Sequence, residues 1–167
     1  MVKGIKLLGV VFCLVAFSQN SNAQFKFSMG PDVGFVLNEG SGLSAGLSFG
    51  GEVLIGDNMG ATFQTAYSYV LNDFDGLSTA FIPYMAGFKY YFVDNENSPY
   101  VHGQLGMTMS MASGSGVSTS STNLSYAIGG GYLLNEHIDL GLRFHMISAS
   151  EGGESVKWLA LRAAYVF

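Results

Sequence analysis

From Phe25 onward the sequence repeats a two-residue alternation. Every charge inside an alternating segment, away from its ends, falls on one phase: Asp32, Glu52, Lys89, Asp139, Arg143 and Arg162, with Lys26 near a rim. The stretch Ile138–Ser148 shows the pattern most cleanly. Ile138, Leu140, Leu142, Phe144 and Met146 fall on one side; Asp139, Gly141, Arg143 and His145 on the other. A strand sends successive side chains to opposite faces. Such a sheet has one greasy face and one face that carries all the charge. The closing stretch, Val156 to Phe167, repeats the theme. Leu159, Leu161, Ala163, Tyr165 and Phe167 share one phase, and Arg162 lies in the middle of the other.

Composition then decides where the greasy face goes. Hydrophobic residues make up 49% of the 167 and charged ones only 11%. That balance suits a membrane, yet past residue 23 no apolar run approaches the ~20 residues that a spanning helix needs. Lipid offers no partner for an unpaired backbone group, so strands cross it only as a closed barrel.

The first 23 residues read as a cleaved signal peptide. Lys3 and Lys6 give a positive start, Leu7 to Phe17 an apolar core, and Ser21-Asn22-Ala23 a small-x-small cleavage site. Residues 24–167 are then the barrel domain. Cys13 is the single cysteine, and Phe12 before it makes a poor lipoprotein site, so the mature chain is expected to lack disulfides. Loss of Lys3 and Lys6 leaves five basic against twelve acidic residues, a net charge of −7. Nucleic acid rewards clustered Lys and Arg, so it is excluded as a partner.

Period-two runs separated by breaker clusters predict eight strands: about 25–37, 43–55, 60–72, 80–93, 99–111, 122–134, 138–148 and 156–167. The predicted fold is all-β, an eight-stranded antiparallel up-and-down transmembrane barrel. Eight is a small even number of the bacterial kind. Both chain ends are expected in the periplasm, with short turns near Asp57, Asn95 and Glu136. Loops near Gly40, Asp75, Ser115 and Gly152 then face outside, Ala112 to Ser121 being the longest. Outward aromatics, among them Phe25, Phe27, Tyr90, Phe92, Tyr132, Tyr165 and Phe167, make an interfacial girdle. Pro31 and Pro83 cannot donate to a ladder, so a bulge or strand end is expected near each.

An eight-stranded barrel is only wide enough to be filled by its own side chains. Buried charges must be paired. The leading reading of Asp32, Glu52, Lys89, Asp139, Arg143, His145 and Arg162 is therefore an ion-pair network, joined by His102, Gln64 and Gln104, that plugs the lumen. The same residues permit a narrow channel or binding barrel for small solutes or hydrophobic ligands. An enzyme is the third reading, with His145, Asp139 and Glu52 as base and orienter and Ser148 or Ser110 as nucleophile. No local motif supports it. His102, His137 and His145 lack zinc spacing, and no cofactor motif is present; Gly129-Gly130-Gly131 lies within a strand, not before a helix.

The closing LALRAAYVF and the strand–turn–strand GGGYLLNEHIDLGLRFHMI resemble small outer-membrane barrels of the OmpA/OmpX type, in the broad outer-membrane β-barrel domain family. The resemblance covers residues 24–167. It implies a bacterial outer-membrane location, contact with outer-membrane lipid and lipopolysaccharide, and a C-terminal signal, Tyr165 and Phe167, read by the barrel assembly machinery. Members include structural barrels, adhesins, small channels and a few lipid-modifying enzymes, so the implied role is a non-enzymatic structural or surface-interaction barrel. The sequence carries no signal for oligomeric state.

Overall fold

The computed structural model describes residues 25–37, 42–71, 78–93, 97–114, 117–148 and 155–167. The leader and cleavage site expected before Phe25 lie outside the described residues. Eight strands form the chain: β1 (Phe25–Val36), β2 (Leu43–Leu54), β3 (Met59–Val70), β4 (Ser78–Tyr91), β5 (Ser98–Gly114), β6 (Val117–Leu134), β7 (Ile138–Ile147) and β8 (Val156–Val166). Each pairs antiparallel with the next, and β8 closes on β1, so the sheet is an up-and-down barrel without an edge in the ring. Among the described residues no helix is long and apolar enough to cross a membrane.

The alternation in the sequence is the alternation in space. Along β8 every second residue is buried, from Trp158 to Val166, and the residues between face outward. Ile128, Leu161 and Phe167 are 68%, 63% and 65% exposed, within a continuous apolar belt around the ring. A soluble protein does not carry such a surface; lipid covers it. The belt belongs to the barrel's outside because each strand's polar phase has already been spent on the lumen.

Two expectations need correction. The stretch Ala112 to Ser121 is mostly ladder, not loop: β5 and β6 extend past the ring as a hairpin, paired down to Gly114 with Val117. Ladder bonds come from the backbone, so Ser, Thr and Gly sustain the pairing once β5 and β6 are in register. Neither proline makes a bulge. Pro31 pairs with Leu47 in an unbroken β1–β2 ladder, and Pro83 pairs with Thr108 in an unbroken β4–β5 ladder. On the other side of each, pairing skips two residues and resumes in the same register. A missing N–H removes rungs toward one neighbour; it does not add a residue.

Local chemistry sets the turns. Gly56 opens the β2–β3 turn at φ 91°, a left-handed conformation that suits glycine. The β6–β7 turn places Asn135 at φ 47° and Glu136 at φ 59°, and His137 N–H donates to the Leu134 carbonyl at 3.0 Å. Positive φ at both central residues gives the twist that a tight hairpin needs. His137 also stacks on Tyr165 at 5.6 Å, which pins this turn to the end of β8.

Candidate functional site: a charged lumen

The inner phase of the strands fills the barrel in layers. At the end that carries Phe25 and Phe167, Tyr91, Tyr100, Leu133 and Val166 form an apolar cluster with Leu54. At the opposite end Val36, Phe81, Ile147, Trp158 and Ala160 form a second, joined by Val70 and Val156. The buried charges lie between them on the inner phase of the strands, Asp139 one residue in from the start of β7.

Asp139 on β7 is the centre of the charged layer, 1% exposed. Its Oδ2 accepts from Lys89 Nζ at 3.1 Å and from Arg162 Nη1 at 3.2 Å, while the Tyr100 hydroxyl donates to Oδ1. Lys89 also reaches Glu52 Oε2 at 3.3 Å, and the Tyr91 hydroxyl donates to the same carboxylate at 2.9 Å. The Lys89 ammonium sits 4.3 Å from the centre of the Tyr100 ring, within cation–π range. Arg162 uses its remaining donors on Ser48 Oγ and Ser28 Oγ, both at 2.8 Å. One guanidinium on β8 thus ties β7, β1 and β2 together across the closing seam. Farther from the termini, Arg143 Nη2 pairs with Asp32. Three buried acids meet three buried bases, and the layer is neutral.

The sequence therefore placed Asp32, Glu52, Lys89, Asp139, Arg143 and Arg162 on the lumen side, and the structure joins them in two groups. His145 is a different matter. Its ring stacks on Trp158 at 4.3 Å, and no ion pair among the described residues includes it. His102 meets Thr62 Oγ1 at 2.8 Å, and Gln104 donates to Gln64 at 3.3 Å. The four hydroxyls that hold the network, on Tyr91, Tyr100, Ser28 and Ser48, were missed as partners. Parity alone puts them inside, because Lys89, His102, Lys26 and Glu52 share their phases on β4, β5, β1 and β2.

The candidate catalytic set does not assemble. Asp139 is taken up by two cations and a tyrosine, and His145 Nδ1 has no hydrogen-bond partner among the described residues. No cluster of three metal-ligating side chains occurs among the described residues. Two cavities that border the charged side chains each measure about 10 Å³. That is room for about one water apiece. One borders Glu52, Lys89 and Asp139; the other borders Gln64, Arg143, His145 and Trp158.

Tyr165 and Phe167 face outward at the terminal end. Phe167 N–H donates to the Phe27 carbonyl at 2.7 Å, its ring lies 4.9 Å from Tyr165, and the Phe27 ring is 6.0 Å away. They form part of the aromatic girdle at the seam where the first and last strands meet.

A family model described as the outer membrane protein beta-barrel domain matches residues 7–167. Among solved structures, Neisserial surface protein A superposes with a TM-score of 0.74 at 15% identity, over 87% of this chain and 98% of that one. The outer membrane enzyme PagL gives 0.62 at 15% identity, over 82% and 97%. Ail, the attachment invasion locus protein of Yersinia pestis, gives 0.59 at 19% identity, over 88% and 100%. Identities this low speak for a shared fold. No curated protein matches the chain in sequence.

Proposed function

The chain belongs to the outer membrane protein β-barrel domain family, located in the bacterial outer membrane, and on that premise we propose that it works as a sealed, non-enzymatic surface barrel. The observation that carries this reading is the lumen's closure: an apolar cluster at each end, a neutral ion-pair layer between, and cavities of only about 10 Å³. A hydrated ion needs a continuous polar path, and none fits beside these side chains. What the protein can offer is its exterior: a belt for lipid and lipopolysaccharide, and the β5–β6 hairpin that extends past the ring at the end opposite Phe25 and Phe167. The termini and the short turns then lie in the periplasm. Tyr165 and Phe167, at the seam of the closing strands, are the residues presented to the assembly machinery.

The fold is shared with an outer membrane enzyme as well as with the attachment invasion locus protein. The non-enzymatic reading is favoured because Asp139 is engaged by Lys89 and Arg162 and because His145 lies under Trp158. The test is single-channel recording of the refolded protein in a planar bilayer, with mass spectrometry of lipopolysaccharide and phospholipid incubated with it. Electrical silence and unchanged lipid masses are expected. Steady conductance steps would favour the narrow-channel reading instead. A lipid product of altered mass would make the protein an enzyme.

A further inference from the structure

Besides Gln104 Oε1, three buried side-chain polar atoms have no hydrogen-bond partner among the described residues: Gln64 Nε2, Arg143 Nε and His145 Nδ1. Their side chains are 5%, 6% and 3% exposed. All three side chains border the same cavity of about 10 Å³. They come from β3 and β7, which face each other across the ring. Buried donors and acceptors in folded proteins are satisfied almost without exception, so three around one space define the chemistry of what fills it.

The occupant must accept two hydrogen bonds, since Gln64 Nε2 and Arg143 Nε are both donors. It must be about the size of one water. It is neutral, because Asp32 also borders the cavity and balances Arg143. Ala66, Pro83, Met85 and Trp158 offer it apolar contact, and Ser68 completes the wall. Trp158, which borders the space, stacks on Phe81 at 5.4 Å.

We propose that the cavity is a built site for one ordered water molecule. The water accepts from Gln64 and Arg143 and donates to an unprotonated His145 Nδ1, bridging β3 to β7 across the lumen. This inference rests on the lumen geometry alone and stands whether the exterior binds a partner or not.

Nuclear magnetic resonance of the protein in lipid nanodiscs tests it, with the Ala66 and Met85 methyl groups labelled. Both methyls are expected to show cross-relaxation with water of the sign that marks a long-lived bound molecule. The nitrogen shifts of His145 are expected to show Nδ1 without a proton and Nε2 carrying one. Ala66→Val, which fills the cavity, should abolish the Met85 signal while the barrel keeps its folded mobility on a gel. Absence of both methyl signals in the folded wild-type protein would overturn the proposal, and so would a Met85 signal that survives in Ala66→Val. A protonated His145 Nδ1 would overturn it too.

Discussion

Replacing Asp139 by Asn removes one negative charge from the middle of the lumen and almost no volume. The carboxylate is 1% exposed and holds Lys89 at 3.1 Å and Arg162 at 3.2 Å. An amide oxygen can serve one of these cations, and the amide N–H groups then point at the other. Lys89 keeps Glu52 at 3.3 Å, but Arg162 is left with the neutral hydroxyls of Ser28 and Ser48. One buried positive charge is uncompensated. Removing one partner of a buried pair costs about 3–5 kcal/mol. The remaining Glu52 contact puts this case at the low end, about 3 kcal/mol, or more than a hundredfold in the folding constant. Urea unfolding in lipid vesicles measures it, with Trp158, the single tryptophan, as the fluorescent reporter inside the lumen. Lys89→Met tests the cause. Alone it leaves an excess acid; combined with Asp139→Asn it restores neutrality. The double variant should cost less than the two single losses together, by about 1–3 kcal/mol. Additivity within about 0.5 kcal/mol would refute the network as an energetic unit. A single-variant loss below about 1 kcal/mol would show that the lumen solvates the stranded charge like a surface site.

Smaller features make separate predictions. Glu136→Gly relieves a non-glycine residue at φ 59° and should raise stability in the same assay by about 1 kcal/mol; a decrease would show that Glu136 makes a compensating contact. Gly46→Val should abolish the folded, heat-modifiable gel band, because a Cβ there would lie 2.0 Å from the Tyr67 carbonyl oxygen, and backbone cannot move aside in a closed ladder. Trp158→Ala removes the largest member of one apolar cluster and leaves the cluster at Tyr91 and Tyr100 intact. It should stay silent in a planar bilayer, and conductance steps from this variant alone would place the whole seal at Trp158.

The strands were legible because a barrel in lipid reads the period of two without ambiguity. Asp139, Arg143 and Arg162 on one phase, with Leu140, Leu142 and Leu161 on the other, leave a single way to fold the strand against lipid. The β5–β6 extension was not legible. Residues 112–121 are Ser, Thr, Gly, Ala and Val, which carry the composition of a loop, and their pairing is a matter of backbone register. Partners in the lumen were beyond the sequence for a related reason. That Lys89 meets Asp139 rather than Asp32 depends on the stagger summed over several strands. The two apolar seals sit at strand ends, where boundaries are least certain. Even so, Trp158 and Phe81 lie on the inner phase of their strands, and that parity was the available signal.

The charges also answer a question about assembly that an apolar lumen would leave open. Suppose β7 slipped by one residue against its neighbours. Ile138, Leu140 and Leu142 would turn inward, and Asp139, Arg143 and His145 would face lipid, because the side-chain period is two. A basic residue at the bilayer midplane costs about 2–4 kcal/mol, and the stranded Asp32 would add its own penalty in the lumen. With β8 slipped as well, Arg162 would add a similar amount. A lumen of leucine and valine would carry no such penalty, since both faces would suit lipid and the slipped barrel would differ little from the native one. A network that contributes modestly to net stability can thus dominate the gap between right and wrong registers. It follows that variants which neutralise the lumen in matched pairs, such as Asp139→Asn with Lys89→Met, should lose less stability than the two single losses together. They should lose in the yield of correctly registered protein.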